Sequence, residues 1–230
     1  SGEALEDKFY VRLRPHPYAL YLKGLKRKGL ELLYPVDTQG QYLLVHPGVF
    51  PDITVKLQVT GSLALGKQHH PVYKIGYHDV VLQIKQLYQE VPSLQAGELI
   101  IKGPSKSRIS DTDVMCIHIE QKSIPNRRGV AREGESLFAF AQRYATWPHL
   151  VFMKNPHLSS MRSVLKKGKD LLIPTAYAPI RKWCFSLLDG LIISEDYLDE
   201  KGLYERYIVS ERKINTGLSE QDFQASRYNF

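Results

Sequence analysis

The chain has 230 residues, 43% of them apolar and 24% charged, an ordinary balance for a soluble globular protein with a core in one large domain or two smaller ones. Its net charge of +7 draws it toward anionic surfaces such as wall polymers, lipid headgroups or nucleic acid, or is simply a basic solvated surface. No apolar run approaches the roughly 20 residues of a bilayer-spanning helix. No zinc spacing, helix-turn-helix or RNA-binding signature supports nucleic acid as a partner.

From Phe9 to Gln121 the sequence is rich in strand signals. Phe9-Tyr-Val-Arg-Leu13, Tyr18-Ala-Leu-Tyr-Leu22, Leu30-Glu-Leu-Leu-Tyr34, Gln41-Tyr-Leu-Leu-Val45 and Ile53-Thr-Val-Lys-Leu57 are separated by Pro and Gly punctuation, which predicts an antiparallel meander. The basic run Lys23, Lys26, Arg27 and Lys28 lies beside Gly24 and Gly29, as at a hairpin tip. Between Tyr77 and Glu90 the pattern turns helical. Val81, Ile84, Leu87 and Tyr88, with Val80, recur at helical spacing, and Pro92 is the predicted stop. Strands resume near Glu98-Leu-Ile-Ile101 and Val114-Met-Cys-Ile-His-Ile-Glu120.

The next segment reads as strand, Gly turn, short helix, second helix, Gly turn and strand. It comprises Val130-Ala-Arg-Glu-Gly-Glu-Ser-Leu-Phe-Ala-Phe-Ala-Gln-Arg-Tyr144, then Asn155-Pro156, then Leu165-Lys-Lys-Gly168-Lys-Asp-Leu171-Leu-Ile173-Pro174. Strand signals return in Lys182-Trp-Cys-Phe-Ser-Leu187, Leu191-Ile-Ile-Ser194 and Tyr204-Glu-Arg-Tyr-Ile-Val209, with Asp189-Gly190 and Lys201-Gly202 as turns. Ser219-Glu-Gln-Asp222 has the form of a capping box. About fifty residues with a few strands are too few to bury a core unaided. The simplest expectation is therefore one sheet interrupted by an inserted module.

On the residues quoted above, the segment 127–175 resembles the LysM module, a small βααβ fold that binds the N-acetylglucosamine backbone of peptidoglycan or chitin. The resemblance implies a shallow sugar groove. Gly134, Glu135, Ser136, Leu137 and Phe138 would form one side, and Asn155, Pro156, His157 and Leu158 the other. Backbone amides and carbonyls at such a turn suit acetamido groups, and apolar side chains suit the N-acetyl methyl. Folding alone also explains Gly134 and Gly168 as turn residues, Leu137, Phe140, Ala141 and Tyr144 as a helical core stripe, and Asn155 as a cap. The segment departs from common LysM patterns at Met161 to Lys166, which is longer and more basic. LysM folds also serve as protein-contact modules in phage tails and baseplates.

The flanking parts, 1–126 and 176–230, resemble an uncharacterised bacterial envelope family of the lipoprotein-carrier (LolA-like) superfamily. The resemblance rests on Lys8-Phe-Tyr-Val-Arg-Leu-Arg-Pro-His-Pro-Tyr18, Gly29-Leu-Glu-Leu-Leu-Tyr-Pro-Val36, Gln41-Tyr-Leu-Leu-Val-His-Pro-Gly48, Ser62-Leu-Ala-Leu65, His70-Pro-Val-Tyr-Lys-Ile-Gly76, Asn215-Thr-Gly-Leu-Ser-Glu-Gln-Asp-Phe223 and Tyr228-Asn-Phe230. It implies an α+β fold: a curved antiparallel half-barrel sheet with a packed helix, interrupted by the βααβ insertion. Val81, Ile84, Leu87 and Tyr88 would then face the concave side. Relatives hold acyl chains or lipidated proteins in that hollow, and a filled core is the plainer alternative.

No catalytic constellation emerges. His69 and His70 lack partners at a metal-ligand spacing, and His118 on a strand reads as structural. Asp111, Asp113, Glu120 and Glu133 are scattered, with no glycosidase arrangement, and no nucleophile elbow is present. No cofactor is implied. Cys116 and Cys184 lie on the strands flanking the insert; if those strands pair, a disulfide would pin its base, and two buried thiols are the alternative. No signal sequence opens the chain, and Ser1-Gly2-Glu3 reads as a trimmed or mature start. The expectation is a non-catalytic protein of the periplasm or cell envelope, with a membrane tether in a part outside this chain left open. It would bind peptidoglycan glycan and offer its sheet to a lipid, lipoprotein or envelope protein. The alternatives are an assembly scaffold whose LysM fold contacts protein, and a peptidoglycan-active enzyme.

Overall fold

The computed structural model of the chain describes residues 6–59, 61–65, 70–90 and 98–230. His69 and the predicted helix stop at Pro92 lie outside the described residues. Two compact units divide the chain: residues 1–76 with 215–230, and residues 77–214.

The first unit is a meander of five antiparallel strands in sequence order: β1 (Phe9–Arg14), β2 (Ala19–Gly24), β3 (Leu30–Tyr34), β4 (Tyr42–Pro47) and β5 (Val55–Gln58). Side chains alternate across a strand, so each apolar run fills two faces. Leu20, Tyr34 and Leu43 join Val59 and Val72 on one side. Ala19, Tyr21 and Leu33 meet Phe223, Leu218 and Tyr228 of the C-terminal segment on the other, where the Tyr21 and Tyr228 rings stack with centroids 3.8 Å apart. That segment starts with the predicted cap, Ser219 exchanging hydrogen bonds with Asp222. The basic run is a hairpin tip between β2 and β3, where Lys26 and Arg27 pair with Glu6 and Asp7 at 3.1 and 2.9 Å.

The second unit holds α2 (Tyr77–Glu90), numbered after the short α1 (Ser62–Leu65) of the first unit, and a second five-stranded antiparallel sheet. Its strands are β6 (Leu99–Ile109), β7 (Thr112–Gln121), β10 (Ile180–Ser186), β11 (Ile192–Asp199) and β12 (Gly202–Ile208), in the order β12-β11-β10-β7-β6. Outside the inserted module the strands therefore form two sheets where the sequence suggests one, and among the described residues neither closes into a barrel. Apolar alternation says which face a strand buries and is silent on its neighbour.

Because β7 pairs directly with β10, everything between Gln121 and Ile180 is an expanded hairpin connection. It contains β8 (Asn126–Val130), α3 (Leu137–Arg143), α4 (Pro148–Lys154) and β9 (Asp170–Pro174), with β8 and β9 paired antiparallel. At the base, Cys116 and Cys184 are direct cross-strand partners joined by a disulfide, 68 residues apart in sequence.

The helix α2 corrects one expectation. Val80 (0% exposed) and Leu87 (7%) pack on Ile119, Trp183 and Ile192, whereas Val81, Ile84 and Tyr88 are 41%, 40% and 80% exposed. The buried face also carries Asp79 and Gln83. Gln83 donates from Nε2 to Asp79 Oδ2 at 3.1 Å and to the Tyr197 hydroxyl at 2.9 Å, and Tyr197 donates to Glu195 at 2.7 Å. A polar network inside the unit thus makes the inner face less apolar than the outer one, and the helical spacing points to the wrong side.

Candidate functional site

The βααβ module closes around its own core. Leu137, Phe140 and Ala141 of α3, Val151 of α4 and Leu171 and Ile173 of β9 are all 1% exposed or less. Gly129 of β8 lets the layers approach this closely, since a Cβ there would sit 2.6 Å from Ile173 Cδ1 and 2.7 Å from Tyr144 Cζ. Ser136 caps α3, its hydroxyl accepting from Ala139 N at 3.1 Å, which satisfies one of the free amides of the first turn. Trp147 and Leu150, at the start of α4, pack with Tyr177, Ala178 and Tyr197, and so seat the module on the sheet of its own unit.

The turn after β8 returns against the loop that precedes β9. Ala131 N donates to Lys169 O at 2.9 Å and Gly168 N to Ala131 O at 3.0 Å. Leu165 N donates to Glu135 O at 2.8 Å and Leu137 N to Ser163 O at 3.2 Å, forming an isolated bridge between Ser136 and Val164. Gly134 sits at the tip with φ +64°, a conformation that disfavours side chains with a Cβ, and a Cβ added there would meet nothing within 4 Å. Val164, the bridge partner of Ser136, is 67% exposed.

The nine residues singled out for the groove therefore separate into groups. Gly134 is at the exposed tip and Ser136 is half-buried at the bridge. Glu135 turns inward, with its side chain 7% exposed. Its carboxylate accepts from Arg143 Nε and Nη2, each at 2.8 Å, and from Arg132 N at 2.9 Å. The Arg143 hydrogen bonds hold the Glu135 carboxyl below its ordinary range against the opposing pull of burial. Leu137 and Phe138 are 0% and 3% exposed and serve packing.

Asn155 is also structural, at 2% exposure. Its Nδ2 donates to Val151 O at 2.7 Å and Leu172 O at 2.8 Å, and its Oδ1 accepts from Leu172 N at 3.0 Å. The side chain thus extends the outer edge of β9 and ties it to the end of α4. Leu158 packs on the core, leaving Pro156 and His157 exposed. The residues that meet the Gly134 turn are Ser163 to Leu165, and not Asn155 to Leu158. The α4–β9 connection is long, and its sequence offers one hint to the part that folds back: the apolar pair Val164-Leu165 just before Lys166-Lys167-Gly168.

The scattered acids stay apart. Asp113, Glu120 and Glu133 each lie near a basic side chain, Arg108 at 4.0 Å, Lys102 at 3.6 Å and Lys167 at 3.7 Å. Among the described residues no group of three or more His, Cys, Asp or Glu side chains is placed to hold a metal ion. None of the described helices is long and apolar enough to cross a membrane.

Fold and site together define an α+β protein of mostly antiparallel sheets, with a βααβ module inserted in a hairpin of one of them. The chain belongs to the DUF1571 family of proteins of unknown function, whose family model matches residues 2–133. That match takes in the first sheet, α2, β6, β7 and β8, and stops as the module begins to turn. No curated protein matches the chain, and no solved structure does.

Proposed function

We propose that this is a non-catalytic protein of the bacterial cell envelope that binds the glycan of peptidoglycan through the LysM-like module and offers its sheets to a lipid, lipoprotein or protein partner. The observation that carries the reading is the stitched pair of loops around Gly134 and Val164 on a βααβ core. It combines a tip glycine with open space beside it, a polar half-buried Ser136 and an exposed valine. Those are the elements a shallow site for an N-acetyl group requires: close backbone approach and a small apolar contact.

A LolA-like carrier role is the finer part of the proposal. The edge strand β1 leaves Phe9, Tyr10 and Val11 exposed at 41%, 46% and 44%, an apolar edge suited to a partner. The face of the second sheet under α2 is filled by Val80, Leu87 and Trp183. An acyl chain would have to displace that helix, so a surface-bound partner fits this unit better than a lipid in a hollow.

The test is co-sedimentation of the full chain with purified, protein-free peptidoglycan at physiological ionic strength, where exposed charges are screened beyond about 8 Å. Wild type is expected in the pellet. Gly134→Val, which places a β-branched residue at positive φ, and Val164→Asn are each expected to weaken binding about tenfold or more. Equal sedimentation of wild type and both variants would remove the site, and no sedimentation of wild type would shift the module to a protein-contact role.

A further inference from the structure

The positive charge of this protein is concentrated in one place. Residues 126–174 carry nine basic side chains against three acidic ones, a net of +6 out of the chain's +7. All three acids are already engaged: Glu135 with Arg143, Glu133 with Lys167 and Asp170 with Arg128.

The backbone ladder that stitches the two loops gathers much of the remaining charge at one end of the module. The ladder runs from the Ala131–Lys169 contact through Glu135–Leu165 to Leu137–Ser163. Arg132 lies on one side of it and Arg162, Lys166 and Lys169 on the other, all exposed. Arg132 is two residues from Gly134, Arg162 and Lys166 are each two residues from Val164, and Lys169 pairs through its backbone with Ala131; Gly134 and Val164 are the residues that would touch the sugar. Keeping like charges together in a small module opposes folding by self-repulsion. An anionic ligand along the same rim would relieve that repulsion.

Building on the glycan reading, we infer that the module selects an anionic glycan, taking the carboxylates of peptidoglycan's lactyl–peptide stems on Arg132, Arg162, Lys166 and Lys169 while the sugar backbone rests at Gly134 and Val164. Guanidinium forks match carboxylates in a planar, bidentate way, and lysines add unoriented attraction. An uncharged polymer of N-acetylglucosamine would make only the weaker central contact. The polymer offers many sites in a row, so a modest preference per site is read out as retention.

The test compares co-sedimentation of the full chain with three matrices: native peptidoglycan, the same material with its carboxyl groups amidated, and chitin. Native peptidoglycan is expected to bind about tenfold more tightly than the other two. Its binding is also expected to fall steeply with added salt, a readout that needs no variant. Arg162→Gln with Lys166→Gln should bring native binding down to the amidated level. Lys28→Gln with Lys213→Gln, an equal loss of charge outside the module, should leave it unchanged. Equal binding to all three matrices, insensitive to salt, would overturn the charge selectivity and leave the glycan reading standing. Equal losses from both double variants would overturn it too, reducing the effect to net charge. Binding to none would overturn both.

Discussion

Removing the Asn155 side chain tests whether this residue holds the fold or meets a ligand. Asn155→Ala deletes the three hydrogen bonds of a buried side chain, to Val151 O, Leu172 O and Leu172 N, at 2.7, 2.8 and 3.0 Å. A typical intramolecular hydrogen bond contributes about 1 kcal/mol net, and a buried group left unpaired costs about 1–3 kcal/mol. With some access of water to the space vacated, the expected loss is about 3 kcal/mol. Asn155→Asp keeps the acceptor for Leu172 N but sets a carboxylate against two carbonyl oxygens. Its folded pKa should be raised, so its stability is greatest below the unfolded value near pH 4 and is lost as pH rises. The measurement is hydrogen exchange of the amides between residues 126 and 174 in the full chain, because two units make a single global unfolding energy ill-defined. Protection lowered by less than about 1 kcal/mol in both variants would refute the structural role and return Asn155 to the ligand side.

Three further outcomes follow from the same geometry. Replacing both Cys116 and Cys184 by alanine should destabilise the second unit by about 4 kcal/mol, the chain-entropy value for a loop closed over 68 residues; two alkylatable thiols in native protein from an oxidising compartment would contradict the bond. Glu135→Gln should cost about 2 kcal/mol at pH 7 through the charge-assisted bonds to Arg143. Because the folded carboxyl is lowered, that stability is present above the unfolded value near 4.3 and is lost as pH falls through the folded one, so variant and wild type should converge in acid melts. On α2, Val80→Asp should unfold the second unit locally, while Tyr88→Asp, at a position 80% exposed, should change stability by less than about 0.5 kcal/mol; the reverse ranking would restore the other helix face to the core.

Much of the local structure is legible in the sequence, and much of the pairing is not. The strands β1 to β5 follow from apolar runs cut by Pro and Gly, and β8 to β9 follow from the change of period between Val130 and Pro174. Those signals are short-range. Division into two sheets depends on which edges meet, and the side chains of Leu33 or Trp183 carry no record of it. On α2, Asp79 and Gln83 read as solvent-facing until Tyr197, more than a hundred residues later, accepts from Gln83, which also donates to Asp79. At the candidate site, Gly134 and Ser136 are visible as a turn and a cap. Asn155 is visible as a polar residue of unknown allegiance, because its three partners are backbone groups that a sequence does not distinguish. The opposing wall, Ser163 to Leu165, is fixed by backbone hydrogen bonds that no side-chain pattern announces.

Glycan binding at the stitched loops can be read residue by residue from amide chemical-shift mapping of the isotope-labelled full chain titrated with soluble peptidoglycan fragments. Saturable shifts are expected, centred on Gly134 to Ser136 and Ser163 to Leu165, with smaller ones at Arg132, Arg162 and Lys166. Shifts confined to the sheets, or none at saturating fragment, would contradict it.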